Sequence, residues 1–163
     1  MDKLWAPWRK EYIQGLKKQR VCIFCKKDSN RDKADFVIKR NEYCFSMLNI
    51  YPYNNGHILI APYRHIADFN LLNKSEALDI MELIKETVSV LKKVLKPSGF
   101  NIGLNLGRIS GAGFERHLHF HIVPRWNGDT NFMPVISSTK VISESLNELY
   151  RRLREEYDKK GRT

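Results

Sequence analysis

Apolar residues alternate with polar ones over several short stretches of this chain. Residues 36–39 and 43–48 have this period of two and flank Arg40-Asn41-Glu42, which predicts a β-hairpin. Further strands are predicted over residues 57–61, 100–105 and 117–123. Because side chains alternate between the two faces of a strand, each of these segments can bury one face against a core.

Two other stretches have the spacing of amphipathic helices. Asn73, followed by Glu76 three residues later, predicts a capping box, and Pro97-Ser98-Gly99 predicts where that helix ends. Its apolar stripe consists of Ala77, Ile80, Met81, Ile84, Val88, Leu91 and Leu95. Ser143 opens a C-terminal helix over residues 143–158, with the stripe Leu146, Leu149, Tyr150, Leu153 and Tyr157. Strands joined by turns, with a long helix between strands and another at the end, predict an α+β fold on an antiparallel sheet.

The composition fits one domain. The chain has 163 residues, of which 42% are hydrophobic, and neither a repeat nor a linker divides it. We therefore expect a single domain over residues 1–163, with a basic N-terminal arm over residues 1–20, a motif-bearing core over residues 22–132 and the C-terminal helix.

The sequence favours a cytoplasmic protein without a membrane partner. It has no uninterrupted apolar run of ~18 residues, and the charges near Met1 do not suit a signal peptide. Three cysteines, a small and odd number, suit a reducing compartment. Cys44 lies in an apolar run and is expected to be a plain buried residue.

The charge favours an anionic partner. Lys and Arg number 28 against 18 Asp and Glu, a formal net charge of +10, which suits a nucleotide or a polyphosphate. Most of the excess lies in short clusters typical of solvated faces. Nucleic acid is disfavoured as a partner, because basic residues interleaved with exposed aromatics and recognised RNA-binding motifs are both missing.

The most informative segment is His117-Leu118-His119-Phe120-His121-Ile122-Val123. In a strand its three imidazoles share one face, while the apolar residues line the other. Burying three imidazoles costs desolvation unless each has a polar partner or a ligand, so the pattern indicates a functional site. The remaining two histidines, His57 and His65, flank another predicted strand, and all five can converge there.

A second motif, Cys22-Ile23-Phe24-Cys25, has the spacing that lets two thiolates bind one tetrahedral ion. His65 and one member of the histidine row could complete the site, which predicts structural zinc, because four protein ligands leave no open position. The alternatives are a redox pair, which lacks its usual βαβ context, and two incidental cysteines. A further alternative uses all three row histidines as ligands of a catalytic metal, but leaves the cysteines without a purpose.

The imidazoles outside a metal site suit attack on phosphorus. A neutral imidazole is nucleophilic and, once bound to a phosphoryl group, is a good leaving group, so it can divide one transfer into two easier steps. The glycine-rich loop over residues 107–113 could donate backbone N–H groups to phosphate oxygens, and a plain hairpin connection is its other interpretation. This chemistry needs no organic cofactor.

On these residues the chain resembles the histidine triad (HIT) family, whose motif His-x-His-x-His followed by two apolar residues matches residues 117–123. The likeness also includes the Cys-x-x-Cys pair and residues 45–49, 55–65 and 99–107. Residues 4–9 and 124–132 resemble the bacterial branch associated with diadenosine tetraphosphate (Ap4A) phosphorylase or hydrolase activity. The resemblance implies a HIT-like fold with a five-stranded antiparallel sheet, packed helices and a homodimer that joins two sheets.

The resemblance also implies residue roles. His119, the middle histidine, would be the nucleophile that forms a covalent nucleotidyl intermediate, and His121 and His57 would orient it and hold the phosphate. Asn49 occupies a ribose-contacting position. The phosphate contacts are assigned to Asn105, Ser110, Gly111, Ala112 and Gly113, and the metal positions to Cys22, Cys25, His65 and His117. One departure is that many family hydrolases carry Gln in the loop before the triad, whereas residues 110–114 contain none.

The sequence thus favours an enzyme that cleaves a dinucleoside polyphosphate such as Ap4A, with water or inorganic phosphate as the acceptor. A nucleoside phosphoramidase, such as an adenosine phosphoramidate hydrolase, shares the nucleophile and differs in its leaving group. A non-catalytic nucleotide-binding protein is the third interpretation. Catalysis is favoured over it because passive binding does not require three aligned imidazoles.

Overall fold

A computed structural model describes residues 22–25, 29–129 and 142–160. The strands are β1 (Val37–Arg40), β2 (Cys44–Leu48), β3 (Ile58–Pro62), β4 (Gly99–Leu104) and β5 (Phe120–Arg125), and the helices are α1 (Lys74–Leu95) and α2 (Leu146–Lys160). The strands form one antiparallel sheet in the order β1-β2-β3-β5-β4. The predicted α+β class, the five-stranded antiparallel sheet and the first hairpin are confirmed. The predicted arm over residues 1–20 and the end of the motif-bearing core, residues 130–132, lie outside the described residues.

Helix α1 begins as predicted but buries a different stripe. The Asn73 side chain accepts the Glu76 N–H and the Glu76 carboxylate accepts the Asn73 N–H, which is the expected capping box. The prediction was wrong for Ala77 and Met81, which are exposed. The buried face instead includes Leu83, Thr87 and Val90 beside the predicted Ile80, Ile84 and Leu91. The helix is rotated because it packs on α2 as well as on the sheet, and the Thr87 hydroxyl lies 2.8 Å from the Tyr157 hydroxyl.

Helix α2 buries the predicted stripe but starts later than predicted. Leu149, Tyr150, Leu153 and Tyr157 are buried and Leu146 packs against them. The helix begins at Leu146, and the Ser145 hydroxyl, rather than that of Ser143, accepts the Glu148 N–H at 3.2 Å.

Strand β5 also starts later than predicted, at Phe120 rather than His117. The backbone before it is bonded outside the sheet: the Leu118 N–H donates to the Ile66 carbonyl at 2.6 Å, and the His117 carbonyl accepts from the His119 side chain at 2.8 Å. Because these groups are already bonded elsewhere, the sheet ladder begins only at Phe120.

The two faces of the sheet have different partners. Helices α1 and α2 cover one face, where Ile38, Leu48, Ile58, Ile60 and Ile122 join the helices in the main core. The other face carries a smaller cluster of Phe24, Val37, Phe45, Met47, Leu59 and Ala61. Leu59 and Gly103 both pair with His121, and paired residues point to the same face of a sheet, so His121 lies on the second face with Leu59. We call this second face the site face.

The described helices give no sign of membrane insertion. Neither α1 nor α2 combines the length and the apolar character needed to cross a bilayer.

Candidate active site

The His119 imidazole is held by the backbone of its own segment. Its Nδ1 lies 2.8 Å from the His117 carbonyl oxygen. Because a carbonyl can only accept, Nδ1 carries the proton and Nε2 carries the lone pair. The side chain is only 7% exposed, and this burial lowers the pKa of His119. The residue therefore presents a neutral ring with a defined tautomer.

His57 and His121 form a hydrogen-bonded pair beside it. The Tyr53 N–H donates to His57 Nδ1 at 3.1 Å, so the proton of a neutral His57 is on Nε2. This Nε2 lies 2.9 Å from His121 Nδ1, which therefore accepts, and the His121 proton is on Nε2. The ring centroids of His119 and His121 are 5.0 Å apart. Burial, followed by the nearby His121 and His119, lowers the pKa of His57 to about 3, so His57 is neutral near pH 7.

The turn before β3 fixes the position of His57. Gly56 has a φ of +75° and packs so tightly against Leu95 that no Cβ fits there. The Asn49 amide nitrogen lies 3.3 Å from His57 Nδ1, and its oxygen accepts the Tyr51 N–H at 2.9 Å. Asn49 thus stands beside the histidine pair, where it also braces this turn.

The four predicted metal ligands come together. Nδ1 of His117 lies 3.3 Å from Cys22 Sγ, 3.5 Å from Cys25 Sγ and 3.2 Å from His65 Nδ1. All four donor atoms are within 4.8 Å of one another. His117 Nε2 donates to the Pro62 carbonyl at 2.9 Å, which leaves the Nδ1 lone pair facing the other three donors. We call these residues the Cys2His2 group.

This arrangement does not support the alternative in which the histidine row holds a catalytic metal. Among the described residues, His117 belongs to the Cys2His2 group, His119 is hydrogen-bonded to the His117 carbonyl, and His121 is hydrogen-bonded to His57. The three imidazoles lie near one another but have three different sets of partners.

Phe24 is a site residue that the sequence analysis missed. It lies between the two cysteines, is 2% exposed, and stacks on His119 with centroids 4.9 Å apart and an interplanar angle of 29°. Its centroid is also 5.0 Å from that of His117 and 5.9 Å from that of Phe114. The available signal was an apolar aromatic side chain placed between two metal-ligand candidates.

The residues predicted to contact phosphate lie at the end of β4 and in the loop that follows. The register ends with the pairing of Leu104 with Phe120, and Asn105 follows directly after this pair. In the loop, the Ser110 hydroxyl donates to the Gly107 carbonyl at 2.7 Å, and Gly111 has a φ of +88°. Residues 111–113 are half-buried and Ser110 is exposed.

Gly103 leaves space beside His121. It pairs with His121 across the sheet, and a Cβ built on it would have no atom within 4 Å. The absence of a side chain here keeps the site face open next to the histidine pair, which the sequence analysis did not notice.

A cavity of about 490 Å³ lies at the other end of the sheet, near β1 and α2. Both of its arginines are already engaged: Arg40 pairs with Asp32 at 2.7 Å, and Arg154 donates to the Ile38 carbonyl at 2.8 Å. The candidate chemistry therefore lies on the site face and not in this cavity.

Comparison with known proteins identifies one family. Residues 30–128 match the HIT domain family. The AP-4-A phosphorylase of Mycobacterium tuberculosis is 34% identical over 165 residues, covering 96% of this chain and 85% of that protein. The adenosine 5'-monophosphoramidase of Schizosaccharomyces pombe is 36% identical over 109 residues, covering 65% of this chain and 75% of that protein.

Solved structures show the same fold. A Zn-bound histidine triad family protein from Mycobacterium smegmatis superposes with a TM-score of 0.66 at 23% identity, covering 86% of this chain and 96% of that one. Together with the family match, this confirms the resemblance that the histidine motif indicated. The chain belongs to the histidine triad (HIT) family.

Proposed function

We propose that this protein is a nucleotidyl transferase or hydrolase that cleaves a dinucleoside polyphosphate such as Ap4A, with His119 as the nucleophile. The observation that carries the proposal is the 2.8 Å hydrogen bond from His119 Nδ1 to the His117 carbonyl. It keeps the proton of the neutral ring on Nδ1 and so leaves a nucleophilic lone pair on Nε2. Similarity to the Mycobacterium tuberculosis AP-4-A phosphorylase over 96% of the chain supports the substrate class.

The reaction has two steps. His119 Nε2 attacks the α-phosphorus, a P–N bond forms, and the P–O bond to the polyphosphate leaving group breaks with its electron pair going to that oxygen. Water or inorganic phosphate then attacks the phosphorus of the nucleotidyl-histidine adduct, and the electron pair of the P–N bond returns to Nε2. Where water is the acceptor, it releases one proton to solvent as the new P–O bond forms. Each step is easier than a direct transfer because imidazole is both a good nucleophile and a good leaving group.

The neighbouring residues would stabilise the phosphoryl oxygens. His121 can donate from Nε2, because the hydrogen bonds from the Tyr53 N–H to His57 and from His57 to His121 Nδ1 leave the His121 proton on Nε2. The remaining donors would be the Asn105 amide and the loop residues Ser110, Gly111, Ala112 and Gly113, with Asn49 contacting the ribose. The open space over Gly103 gives the substrate access to this donor set.

Replacing the nucleophile tests the proposal directly. His119→Ala should lower Ap4A turnover by at least about 10³-fold, because it removes the atom that bonds to phosphorus. The variant should stay folded and still bind AMP, with a lower melting temperature because a buried ring is removed. When the reaction is stopped without acid, mass spectrometry should show a nucleotidyl adduct on the wild-type protein that the variant lacks. Full activity in His119→Ala would contradict the proposal.

The same assay identifies the acceptor. With inorganic phosphate present, ADP formed alongside ATP means phosphorolysis, whereas AMP and ATP mean that water is the acceptor. The similarity to the Schizosaccharomyces pombe adenosine 5'-monophosphoramidase keeps a phosphoramidase as a second candidate. A higher kcat/KM for an adenosine phosphoramidate than for Ap4A would favour it.

We further propose that the Cys2His2 group binds structural zinc. With Zn–S and Zn–N bonds of about 2.3 and 2.0 Å, the edges of the tetrahedron are roughly 3.3 to 3.8 Å. Four of the six donor pairs are 3.1 to 3.5 Å apart, and all four donor atoms lie within 4.8 Å of one another. Burial and hydrogen bonding with Cys22 raise the pKa of the Cys25 thiol to about 11, a penalty that a divalent cation would offset. A bound ion would cross-link residues 22–25, His65 and His117, and it would take no part in the reaction. The free thiols also suit the cytoplasmic location that we propose.

Metal analysis tests the zinc proposal. Wild-type protein purified without chelator should carry one zinc per chain, and Cys22→Ser should lose most of it along with thermal stability. Cys44→Ala is the matched control, because Cys44 is buried beneath α1 and outside the group, so that variant should retain its zinc. Zinc-free wild-type protein would count against the assignment.

The low pKa of His57 predicts an acid-sensitive fold. Unfolded His57 takes up a proton below about pH 6.5, whereas the folded residue does so only near pH 3. The free energy of unfolding should therefore fall between these values by up to ~1.4 kcal/mol per pH unit from this group. In urea titrations across this range, His57→Gln should show a shallower decline than wild type. Parallel curves for the two proteins would rule out this contribution.

We also propose a homodimer in which β4 pairs with β4 of a second copy. In the sheet of the described residues β4 is an edge strand, and Ile102 on it is 48% exposed. An antiparallel strand can pair with its own copy about a two-fold axis, which would satisfy the open edge and cover Ile102.

Sedimentation should distinguish the dimer from the monomer. Ile102→Asp should shift the wild-type dimer to monomers, because the carboxylate would be buried in the interface. Ile109→Asp places the same change on a fully exposed loop residue and should leave the dimer intact. A monomeric wild type, or a dimeric Ile102→Asp, would be incompatible with this interface.

A further inference from the structure

We propose that Phe24 is a positioning residue that holds the His119 ring for attack and links it to the Cys2His2 group. This inference rests on the proposed function of His119 as the nucleophile. It concerns a side chain that neither binds metal nor carries a proton, and that acts only through the rings it contacts.

The first argument is geometric. The bond from Nδ1 to the His117 carbonyl fixes one atom of the His119 ring, but the ring can still rotate about that contact. Phe24 restrains the plane, because its ring lies nearly parallel to His119 at 29° with centroids 4.9 Å apart. A fixed atom and a fixed plane together define the direction of the Nε2 lone pair. Attack on phosphorus depends on that direction.

The second argument concerns what holds Phe24. The residue is 2% exposed, and Phe114 also contacts it in an edge-to-face arrangement, with ring centroids 5.9 Å apart. Phe24 also belongs to the small apolar cluster of the site face. Packed on several sides, the ring has little room to change rotamer.

The third argument connects Phe24 to the Cys2His2 group. Phe24 lies between Cys22 and Cys25, whose sulfur atoms both lie within 3.5 Å of His117 Nδ1. Binding both thiolates to one ion would leave residues 22–25 few conformations and would fix the Phe24 ring. His117 makes a second connection, since its side chain joins the group while its carbonyl accepts from His119. The group therefore reaches the nucleophile through one ring and one carbonyl.

Two substitutions separate positioning from packing. Phe24→Ala and Phe24→Leu are assayed with zinc added to saturation and metal content verified. We expect kcat for Ap4A cleavage to fall about 10- to 100-fold in both variants, with KM changed less than about threefold. Leucine should recover much of the melting temperature lost in Phe24→Ala, but little of the kcat, because it fills volume without presenting a flat face. Phe69→Ala is the matched control, because Phe69 is a 45% exposed aromatic that contacts Phe120 edge-on.

A spectroscopic readout makes the test independent of turnover. In ¹⁵N- and ¹³C-histidine-labelled protein at fixed pH, the His119 ring signals should be sharp in wild type and broadened by ring motion in the Phe24 variants, while the nitrogen shifts keep the Nδ1-protonated tautomer that the His117 carbonyl sets. Wild-type kcat and sharp His119 signals in Phe24→Ala would overturn the inference, as would full recovery of kcat by leucine. If His119→Ala remained active while the His119 signals still broadened in Phe24→Ala, the proposed function would fail and only the restraint of the His119 ring by Phe24 would remain.

Discussion

The hydrogen bond from His119 Nδ1 to the His117 carbonyl determines both local structure and chemistry. It uses a carbonyl that a regular strand would pair with its neighbour, so β5 begins only at Phe120. It also places the His119 proton on Nδ1, which leaves Nε2 as the only nitrogen of that ring with a lone pair. Residues 117–119 thus determine where β5 begins and set the tautomer of the proposed nucleophile. In a regular ladder the His117 carbonyl would bond to a neighbouring strand, so it would not set the tautomer of His119 and β5 could begin earlier.

Burial around this bond sets the charge of the site. The pKa values of His57 and His117 are lowered to about 3 and about 4, and that of His119 is lowered as well, in each case chiefly by burial. These rings are therefore neutral near pH 7. A nucleophile needs that state, since a protonated imidazole has no lone pair to donate. The cost is that these rings bring no positive charge to a polyphosphate. Its oxygens must be held by N–H donors, while the net charge of +10 attracts the anion at longer range.

Much of this could be predicted from the sequence, because periodicity and spacing report on local structure. The alternating segments indicated the five strands, and Asn73 and Glu76 indicated the start of α1. The Cys-x-x-Cys spacing suggested His65 and one histidine of the row as further ligands, and the family resemblance identified that histidine as His117. What could not be predicted depends on contacts between distant segments. The rotation that exposes Met81 is set by α2, as the contact of Thr87 with Tyr157 shows. Periodicity also treats a backbone carbonyl as available to the sheet, and so it placed the start of β5 at His117.

Phe24 and Gly103 show the same limit for the site itself. The pattern of the Cys-x-x-Cys motif draws attention to the sulfur atoms, while the stacking of Phe24 on His119 joins residues 95 positions apart in the chain. Gly103 is informative only once the register places it opposite His121. Phe24 provides a flat surface for the His119 ring, and Gly103 leaves space beside the His121 ring. Such properties appear only when the strands are assembled.

The two faces of the sheet explain why the Cys2His2 group, the proposed zinc site, lies beside His119, the proposed nucleophile. In the part of the chain that the structure describes, the helix face has two helices and a large apolar core, whereas the apolar cluster of the site face has six buried residues, one of which is Phe24. A small cluster provides little hydrophobic stabilisation, and a cross-link among residues 22–25, His65 and His117 can replace what is missing. Under the proposed coupling through Phe24, order at the Cys2His2 group favours the orientation of His119 that a substrate needs. Linkage then requires the reverse as well: a nucleotide that selects this orientation must strengthen metal binding by the same factor.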